Sequence, residues 1–227
     1  MHEARITVPR SARYFILGDE KLTRLPRQVW FVLHGYAQIA PRFIRHFEVL
    51  DDGKHVVLAP EGLSRFYLPG TSGHSDRVGA SWMTREDRLS EIGDYVRYLD
   101  LVYDAIFTRI DRASTDLVVL GFSQGVATAC RWITMSTKGV RPDHVILWSA
   151  EIPPELDLDA AHTALDGRVT LVRGSGDELV TAQLMTEQGE RLRRHGIAHR
   201  FETFDGGHHL DPAVIKRLSE TTPLLAP

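Results

Sequence analysis

The chain has 227 residues, of which 43% are hydrophobic and 25% charged, as in an ordinary globular domain. Its length suits one α/β domain spanning 1–227, with a core that needs no disulfide or metal. The net charge of −3 and the scattered basic residues count against a nucleic-acid surface, and the lone Cys130 excludes an internal disulfide.

No segment has the length and apolarity of a membrane anchor. The first ten residues lack an apolar core of signal-peptide length, and no later run approaches the roughly 20 apolar residues that span a bilayer. A single cysteine also suits a reducing compartment. We therefore expect a cytoplasmic protein without stable membrane insertion and without a nucleic-acid partner.

Short apolar runs along the chain predict about seven strands. The run at 29–33 is continuously apolar, as a central strand covered on both faces should be. The run at 14–17 is expected at a sheet edge. The remaining predicted strands lie at 56–59, 117–120, 145–148, 169–172 and 199–204.

Stretches with helical periodicity separate these runs. The clearest has apolar residues in steps of three and four, and we expect it to begin with Thr84 as N-cap and Asp87 in its first turn. Further helices are expected near 41–50, 124–137, 181–194 and 211–220. Alternating strands and helices predict a mostly parallel sheet with helices on both faces. The apolar stripe of the clearest helix comprises Leu89, Ile92, Val96, Leu99, Tyr103 and Ile106.

The predicted strand at 117–120 runs into Gly121-Phe-Ser123-Gln-Gly125, which precedes a helical stretch. Gly-x-Ser-x-Gly between a strand and a helix is typical of a nucleophile elbow, a tight turn that exposes the serine hydroxyl. Glycine is needed on both sides because larger side chains would collide. We predict Ser123 as a nucleophile and the N–H of Gln124, at the helix N-terminus, as an oxyanion donor. The alternative is an incidental serine in a glycine-rich turn.

In this arrangement an acid and then a histidine follow the serine along the chain. His208 lies in a glycine-rich loop after the strand at 199–204, and Asp177 lies in the corresponding loop after the strand at 169–172. The acid would hold the imidazole tautomer and stabilise the imidazolium. His209 is the alternative base, and Glu178 and Asp205 are the alternative acids.

A second oxyanion donor is expected after the central strand at 29–33. This strand ends in His34-Gly35-Tyr36, and a loop there can bring the backbone N–H of Tyr36 towards Ser123. His34 precedes the serine and breaks the expected order. We interpret it as a structural residue that hydrogen-bonds the loop rather than as the base, with Gln38 bracing the same loop.

Four segments together resemble the phospholipase/carboxylesterase family of α/β-hydrolases, which includes bacterial carboxylesterases and acyl-protein thioesterases. The resemblance covers residues from about 30 to 220 and implies an α/β-hydrolase fold. We expect no large cap domain and no cofactor. The resemblance also implies Ser123, Asp177 and His208 as a triad, with the N–H groups of Tyr36 and Gln124 as the oxyanion hole. The segments are His34-Gly35, Gly121-Phe-Ser-Gln-Gly125, Gly174-x-x-Asp177-x-x-Val180 and Gly206-Gly207-His208.

The sequence departs from the family pattern at two places. Val126 stands where the family usually has a second glycine, and we expect this to alter helix–sheet packing. Tyr36-Ala37-Gln38 replaces a loop that is usually richer in glycine, and Tyr36 is expected to narrow the acyl site. Neither change removes a catalytic group.

The segment 60–83 is long, glycine-rich and aromatic, and loops of this length are often functional. An apolar acyl pocket is one role for its larger side chains, and anchoring of the loop to the core is the alternative. His74 and Asp76 lack a third ligand at suitable spacing, so no metal is expected. The segment 149–167 is short and carries two prolines, which predicts no bulky lid. The candidate pocket residues are Phe66, Tyr67, Trp82 and Met83.

These features predict a serine carboxylesterase that hydrolyses small or acyl esters through an acyl-enzyme. An acyl-protein thioesterase or lysophospholipase is the alternative. A non-catalytic binding protein with the same fold is a second alternative, against which the complete set of Ser123, Asp177 and His208 counts. The expected partner is a small-molecule or lipid ester, and a homodimer is left open.

Overall fold

The computed structural model describes residues 1–70 and 76–221. Seven strands form one sheet, in the order β1-β3-β2-β6-β7-β8-β9, and only the edge strand β1 runs antiparallel to its neighbour. A separate antiparallel hairpin pairs β4 with β5. The strands are β1 (Tyr14–Leu17), β2 (Gln28–Leu33), β3 (His55–Pro60), β4 (Ser64–Tyr67), β5 (Val78–Ser81), β6 (Asp116–Phe122), β7 (His144–Trp148), β8 (Val169–Gly174) and β9 (His199–Phe204).

The described residues form six α-helices, of which five connect strands and the last follows β9. Three of them begin at a residue whose side chain accepts a hydrogen bond from the first turn, namely Asp157, Thr181 and Asp211. Within the described part of the chain, no helix is both long and apolar enough to cross a bilayer. The helices are α1 (Ala40–Phe43), α2 (Arg88–Phe107), α3 (Gln124–Met135), α4 (Leu158–Leu165), α5 (Ala182–Arg194) and α6 (Pro212–Glu220), with 3₁₀ turns at Ile44–Leu50 and Arg112–Ser114.

Strand β2 shows how the sheet builds a core on each side. Every residue of β2 is buried, and alternate side chains enter different hydrophobic clusters. Phe31 belongs to the cluster that includes residues of α2, α3, α4 and α5, whereas Trp30 belongs to the cluster formed with α1, the following 3₁₀ turn and α6. The continuously apolar sequence of β2 therefore reflects helices on both faces.

The strand order reverses beside β2. From β2 the chain passes to β3 on one side and later to β6 on the other, so the carboxyl ends of β2 and β6 lie next to each other. Leu33 at the end of β2 is in register with Gly121 of β6. In open α/β sheets such a switch point leaves a crevice where ligands bind.

All seven strands expected in the main sheet are confirmed, but the start of the longest helix is not. Helix α2 begins at Arg88 with Asp87 as N-cap, so the prediction of Thr84 was wrong. The Thr84 hydroxyl instead donates to the Glu91 carboxylate. Leu89 was also wrongly assigned to the buried stripe, since it lies in the first turn, at the margin of the buried face, and is 77% exposed.

Two elements were not expected from the sequence. The segment 60–83 contains the β4–β5 hairpin, whose strands are too short for a clear periodic signal. The segment between β7 and β8 contains α4, which packs Leu158, Ala161 and Leu165 into the core. This connection is therefore part of the main domain and does not form a cap.

Candidate active site

Ser123 lies in the turn between β6 and α3, in a conformation that non-glycine residues rarely adopt. Its φ of 52° and ψ of −121° mark a strained backbone. A Cβ on Gly121 would lie 2.3 Å from the Gly125 carbonyl oxygen, and a Cβ on Gly125 would lie 2.0 Å from the carbonyl oxygen of Leu33. Both glycines of the elbow are therefore required by close backbone packing, and the turn presents Ser123 at the switch point.

Three side chains form one hydrogen-bonded chain at this point. The Ser123 hydroxyl donates to Nε2 of His208, with an Oγ–Nε2 distance of 3.1 Å. Nδ1 of His208 donates to Oδ2 of Asp177 at 2.9 Å. Because Asp177 accepts a hydrogen bond from the Nδ1–H group, the proton stays on Nδ1 and Nε2 is free to take a proton from the serine. The structure thus brings together the three side chains predicted as the triad.

Asp177 is held as a buried carboxylate. Its side chain is 0% exposed, and Oδ1 accepts hydrogen bonds from the N–H groups of Leu179 at 2.9 Å and Val180 at 3.1 Å. Burial acts to raise the pKa of Asp177, but the nearby Ser149 hydroxyl, the His208 ring and the Val180 N–H together hold it below its ordinary value. The Ser149 hydroxyl lies close enough to lower the pKa of Asp177, but its geometry does not meet that of a full hydrogen bond. The carboxylate is therefore charged and fixed at neutral pH.

Ser149 is a residue at this site that the sequence analysis missed. It directly follows β7, is 1% exposed and has a φ of 53°. Its N–H donates to the Val172 carbonyl at 2.8 Å, which ties the end of β7 to β8. A serine after an apolar run carries no recognisable signal, and only the fold shows that it lies beside Asp177.

The alternative acids and base are placed differently. Glu178 is exposed beside Asp177, and Asp205 is exposed and accepts from the Ser175 hydroxyl at 3.3 Å. Nδ1 of His209 donates to the Leu210 carbonyl at 3.1 Å. The geometry therefore favours Asp177 and His208 over these alternatives.

The loops that carry Asp177 and His208 pack backbone against backbone. The Ser175 N–H donates to Phe204 O, and the Gly176 N–H donates to Gly206 O, both at 2.8 Å. A Cβ on Gly174 would lie 2.3 Å from the Gly206 carbonyl oxygen, so only glycine allows this approach. Since β8 and β9 are adjacent and parallel, their exit loops meet at one edge of the sheet.

Two backbone N–H groups near Ser123 have no acceptor among the residues that the structure describes. Gln124 is the first residue of α3, where an N–H has no partner within the helix. No group in the described residues accepts a hydrogen bond from the N–H of Tyr36. The adjacent Gly35 approaches so closely that a Cβ there would lie 3.1 Å from Cβ of Ser123. These two groups are thus suited to stabilise negative charge beside Ser123.

His34 lies beneath this loop in the role expected from the sequence. It is fully buried, its Nδ1 donates to the Gly35 carbonyl at 2.7 Å, and its Nε2 accepts from the Gly62 N–H at 2.9 Å. Burial lowers the pKa of His34 to about 4, despite the opposing effects of the Gly35 carbonyl and the Glu61 carboxylate. The ring is therefore neutral. Gln38 braces the same loop by accepting from the Gly35 N–H at 2.7 Å.

The four candidate pocket residues fall into two groups. Trp82 is 1% exposed and donates from its indole N–H to the His34 carbonyl at 2.8 Å, and Met83 is half-buried against the core. For Trp82 this favours the alternative role of anchoring the loop. Phe66 is half-buried and stacks on Tyr36 with ring centroids 5.2 Å apart, while Tyr67 is 75% exposed. An aromatic surface therefore lies beside the loop of the second donor.

No set of three or more His, Cys, Asp or Glu side chains is arranged to hold a metal ion within residues 1–70 and 76–221. His74, considered above with Asp76, lies outside the described residues. Cys130 is buried, and burial raises the pKa of its thiol to about 12. The thiol is therefore neutral at physiological pH and is not a nucleophile.

Comparison with known proteins agrees with this geometry. The sequence profile of the family described as Serine hydrolase (FSH1) matches residues 30–213. The chain belongs to this serine hydrolase family. The matched region of the hydrolase contains the elbow and both loops that meet it. No match was found among the curated proteins.

Solved structures similar to the hydrolase share its fold. Esterase PE8 aligns with a TM-score of 0.67 and 19% identity, over 93% of this chain and 99% of that chain. Acyl-protein thioesterase 2 from Zea mays aligns with a TM-score of 0.65 and 16% identity, over 92% and 97% of the two chains. The carboxylesterase of Bacillus cereus aligns with a TM-score of 0.62 and 14% identity, over 92% of each chain. The resemblance to carboxylesterases and acyl-protein thioesterases, stated from motifs, is confirmed.

Proposed function

We propose that this hydrolase is a serine carboxylesterase that acts on small or acyl esters. The observation that carries the proposal is the continuous chain from Ser123 Oγ to His208 Nε2 at 3.1 Å and from His208 Nδ1 to Asp177 Oδ2 at 2.9 Å. A nucleophile, a base and an orienting carboxylate in this order are the requirements of acyl transfer to serine. We place the activity in the cytoplasm, since the lone buried Cys130 suits a reducing compartment.

In the proposed reaction His208 takes the proton of the Ser123 hydroxyl while Oγ attacks the ester carbonyl carbon. The carbonyl oxygen becomes an oxyanion, which accepts hydrogen bonds from the N–H groups of Gln124 and Tyr36. His208 then gives the proton to the leaving alkoxide, and the acyl group remains as an ester on Ser123. A water molecule that His208 deprotonates attacks this ester, and the acid and free serine are released.

Asp177 supports both halves of the reaction. Its fixed carboxylate keeps the proton on Nδ1 of His208 and stabilises the imidazolium that forms during each attack. The ring of Phe122 packs beside the His208 ring at a centroid distance of 5.1 Å and limits its rotation. His208 is thereby oriented on one side by a charge and on the other by packing.

Hydrolysis of thioesters is the second candidate. Tyr36 and Phe66 stack beside the proposed oxyanion hole and form an aromatic surface that suits an acyl chain, whereas Tyr67 follows Phe66 in β4 and is 75% exposed. The similarity to acyl-protein thioesterase 2 from Zea mays supports thioesters as substrates. Rates against acyl chains of two to twelve carbons, as oxygen esters and as thioesters, distinguish the two candidates.

Replacement of Ser123 with alanine tests the proposal. We expect Ser123→Ala to lower the rate on p-nitrophenyl butyrate by a factor of about 10⁴ or more, because the nucleophile is lost. A fluorophosphonate probe should label Ser123 in the wild type, as a mass increase on its peptide. Ser114→Ala, which removes an exposed hydroxyl bonded to Asp111, is the matched control. Hydrolysis by Ser123→Ala at the wild-type rate would falsify the proposal.

A further inference from the structure

Strand β5 lies between the two segments that carry the proposed oxyanion donors. On one side, the Ala80 carbonyl accepts from the Ala37 N–H at 2.9 Å, and the Ala80 N–H donates to the Gln38 carbonyl at 3.0 Å. On the other side, the end of β5 is bonded to the side chain of Gln124. The loop of Tyr36 and the first residue of α3 are therefore joined through one short strand.

The amide of Gln124 is fully used in this connection. Its Oε1 accepts from the Trp82 N–H at 3.1 Å, and its Nε2 donates to the Met83 carbonyl at 3.0 Å and to the Ser81 hydroxyl at 3.1 Å. The Ser81 hydroxyl in turn donates to the Met83 carbonyl at 2.8 Å. Each donor proton of the Gln124 amide has an acceptor, so the amide has one orientation. The side chain thus fixes the residue whose backbone N–H is a proposed oxyanion donor.

Close packing holds the loop of Tyr36 and Ala37 against β5. A Cβ on Gly79 would lie 2.7 Å from the Ala37 carbonyl oxygen and 2.8 Å from the Ala37 Cα. Ala37 itself has a φ of 65°, a conformation that alanine adopts only when neighbouring contacts compensate its cost. The stacking of Tyr36 on Phe66 adds a contact to the same hairpin. The backbone of this loop is therefore shaped by the hairpin as well as by β2.

We propose that β5 is a positioning element that sets the separation of the two oxyanion donors, and that Gln124 contributes its side chain to this role in addition to its backbone N–H. The proposal rests on the serine hydrolase function proposed above. Donors must lie about 2.7–3.1 Å from the oxyanion, and a displacement of about 1 Å can lower a rate about 100-fold. Disturbing β5 should accordingly weaken stabilisation of the tetrahedral intermediate, while the serine, histidine and aspartate remain in place.

Two substitutions disturb β5 from opposite sides. Gly79→Ala introduces a methyl group against the Ala37 backbone, and Gln124→Met keeps the side-chain length but removes the bonds to Trp82 and Met83. Matched controls lie in helices α2 and α5, outside the hairpin. The methyl group of Gly93→Ala meets only the Arg97 side chain, and Gln183→Met removes one bond to Glu187.

We expect each β5 variant to hydrolyse p-nitrophenyl butyrate with kcat lowered about 10- to 100-fold and KM changed less than about threefold. The affinity for a trifluoromethyl ketone, which forms a tetrahedral adduct on the serine, should fall by the same factor as kcat/KM. The controls should keep wild-type kinetics. A residue that only supports the fold would lower the melting temperature without this parallel loss of kcat and inhibitor affinity.

The outcomes separate this proposal from the proposed function. If the wild type neither hydrolyses esters nor reacts with a fluorophosphonate at Ser123, both proposals are wrong. If the wild type is active and folded Gln124→Met keeps its kcat and inhibitor affinity, only the role of β5 is overturned. Gln124→Met decides the matter even if Gly79→Ala fails to fold, since it adds no atom to the packed backbone.

Discussion

The two sides of Ser123 are held by different means. On the side of His208 and Asp177, the loops leave the adjacent parallel strands β8 and β9 and are joined by backbone hydrogen bonds. On the side of Tyr36 and Gln124, the backbone is held by the accessory hairpin and by side-chain amides. The first arrangement follows from the pairing of the main sheet. The second depends on a hairpin outside that sheet, and we expect it to be more sensitive to mild substitutions.

The largest effect is expected on the side of the sheet. We expect His208→Gln to lower kcat/KM on p-nitrophenyl butyrate by about 10⁴ or more, since Nε2 of His208 is the group in the described residues that can accept the proton of the Ser123 hydroxyl. His209→Gln is the matched control at the adjacent position, where the ring bonds to the Leu210 carbonyl. Steady-state kinetics of both variants make the measurement. Equal losses at the two positions would contradict the assignment of the base.

A loss of about 10³- to 10⁴-fold is expected for Asp177→Asn. The amide can still accept from the Leu179 and Val180 N–H groups, but an NH₂ facing His208 favours the wrong imidazole tautomer. Asp205→Asn should change kcat/KM less than about twofold, because Asp205 is exposed and bonds to Ser175. A larger loss in Asp205→Asn than in Asp177→Asn would contradict the assignment of Asp177 as the acid.

A smaller effect tests the packing between the two loops. Gly174→Ala places a methyl group 2.3 Å from the Gly206 carbonyl oxygen, and we expect a loss of about 2 kcal/mol in the free energy of unfolding. At Gly176 the added Cβ would lie 3.4 Å from the same oxygen, which is an ordinary contact. Gly176→Ala should therefore be much closer to the wild type in urea denaturation. Similar stabilities for the two variants would show that the loops move apart easily.

No loss of activity is expected where the pH dependence of the free energy of unfolding is tested. Burial lowers the pKa of both His34 and His144 to about 4, whereas the unfolded chain binds these protons near pH 6.5. Because only the unfolded state is protonated in this range, the free energy of unfolding should decrease as the pH falls from about 6.5 to about 4. Each histidine accounts for roughly 3 kcal/mol of this decrease.

The variant His144→Gln should remove the share of this decrease that His144 contributes, and it should spare the active site, because Nε2 of His144 bonds to the Thr170 hydroxyl, away from Ser123. Its ester hydrolysis at pH 7.5 should match the wild type. Urea denaturation at several pH values provides the measurement. A pH dependence unchanged in His144→Gln would mean that the ring is not buried in its neutral form.

The two sides of Ser123 also differ in how much of their structure the sequence predicts. Ser123, Asp177 and His208 were identified in the sequence because each follows an apolar run and lies among glycines. Gly121 is required locally, since a Cβ there would meet the Gly125 carbonyl oxygen, whereas Gly174 is required by the loop of Gly206 after the neighbouring strand. The start of helix α2 at Asp87 was harder to predict, because Thr84 is an equally suitable N-cap residue. Only the contact of Thr84 with Glu91 decides between them.

The sequence by itself determined the α/β order, the buried strands and the three polar residues at the strand ends. Periodicity and turn chemistry act over a few residues, so they leave a trace that can be read along the chain. Only the tertiary structure decided that Trp82 anchors the hairpin, that Ser149 lies beside Asp177 and that β5 joins Tyr36 to Gln124. Such contacts connect residues distant in sequence, and their geometry follows from packing that no local pattern records.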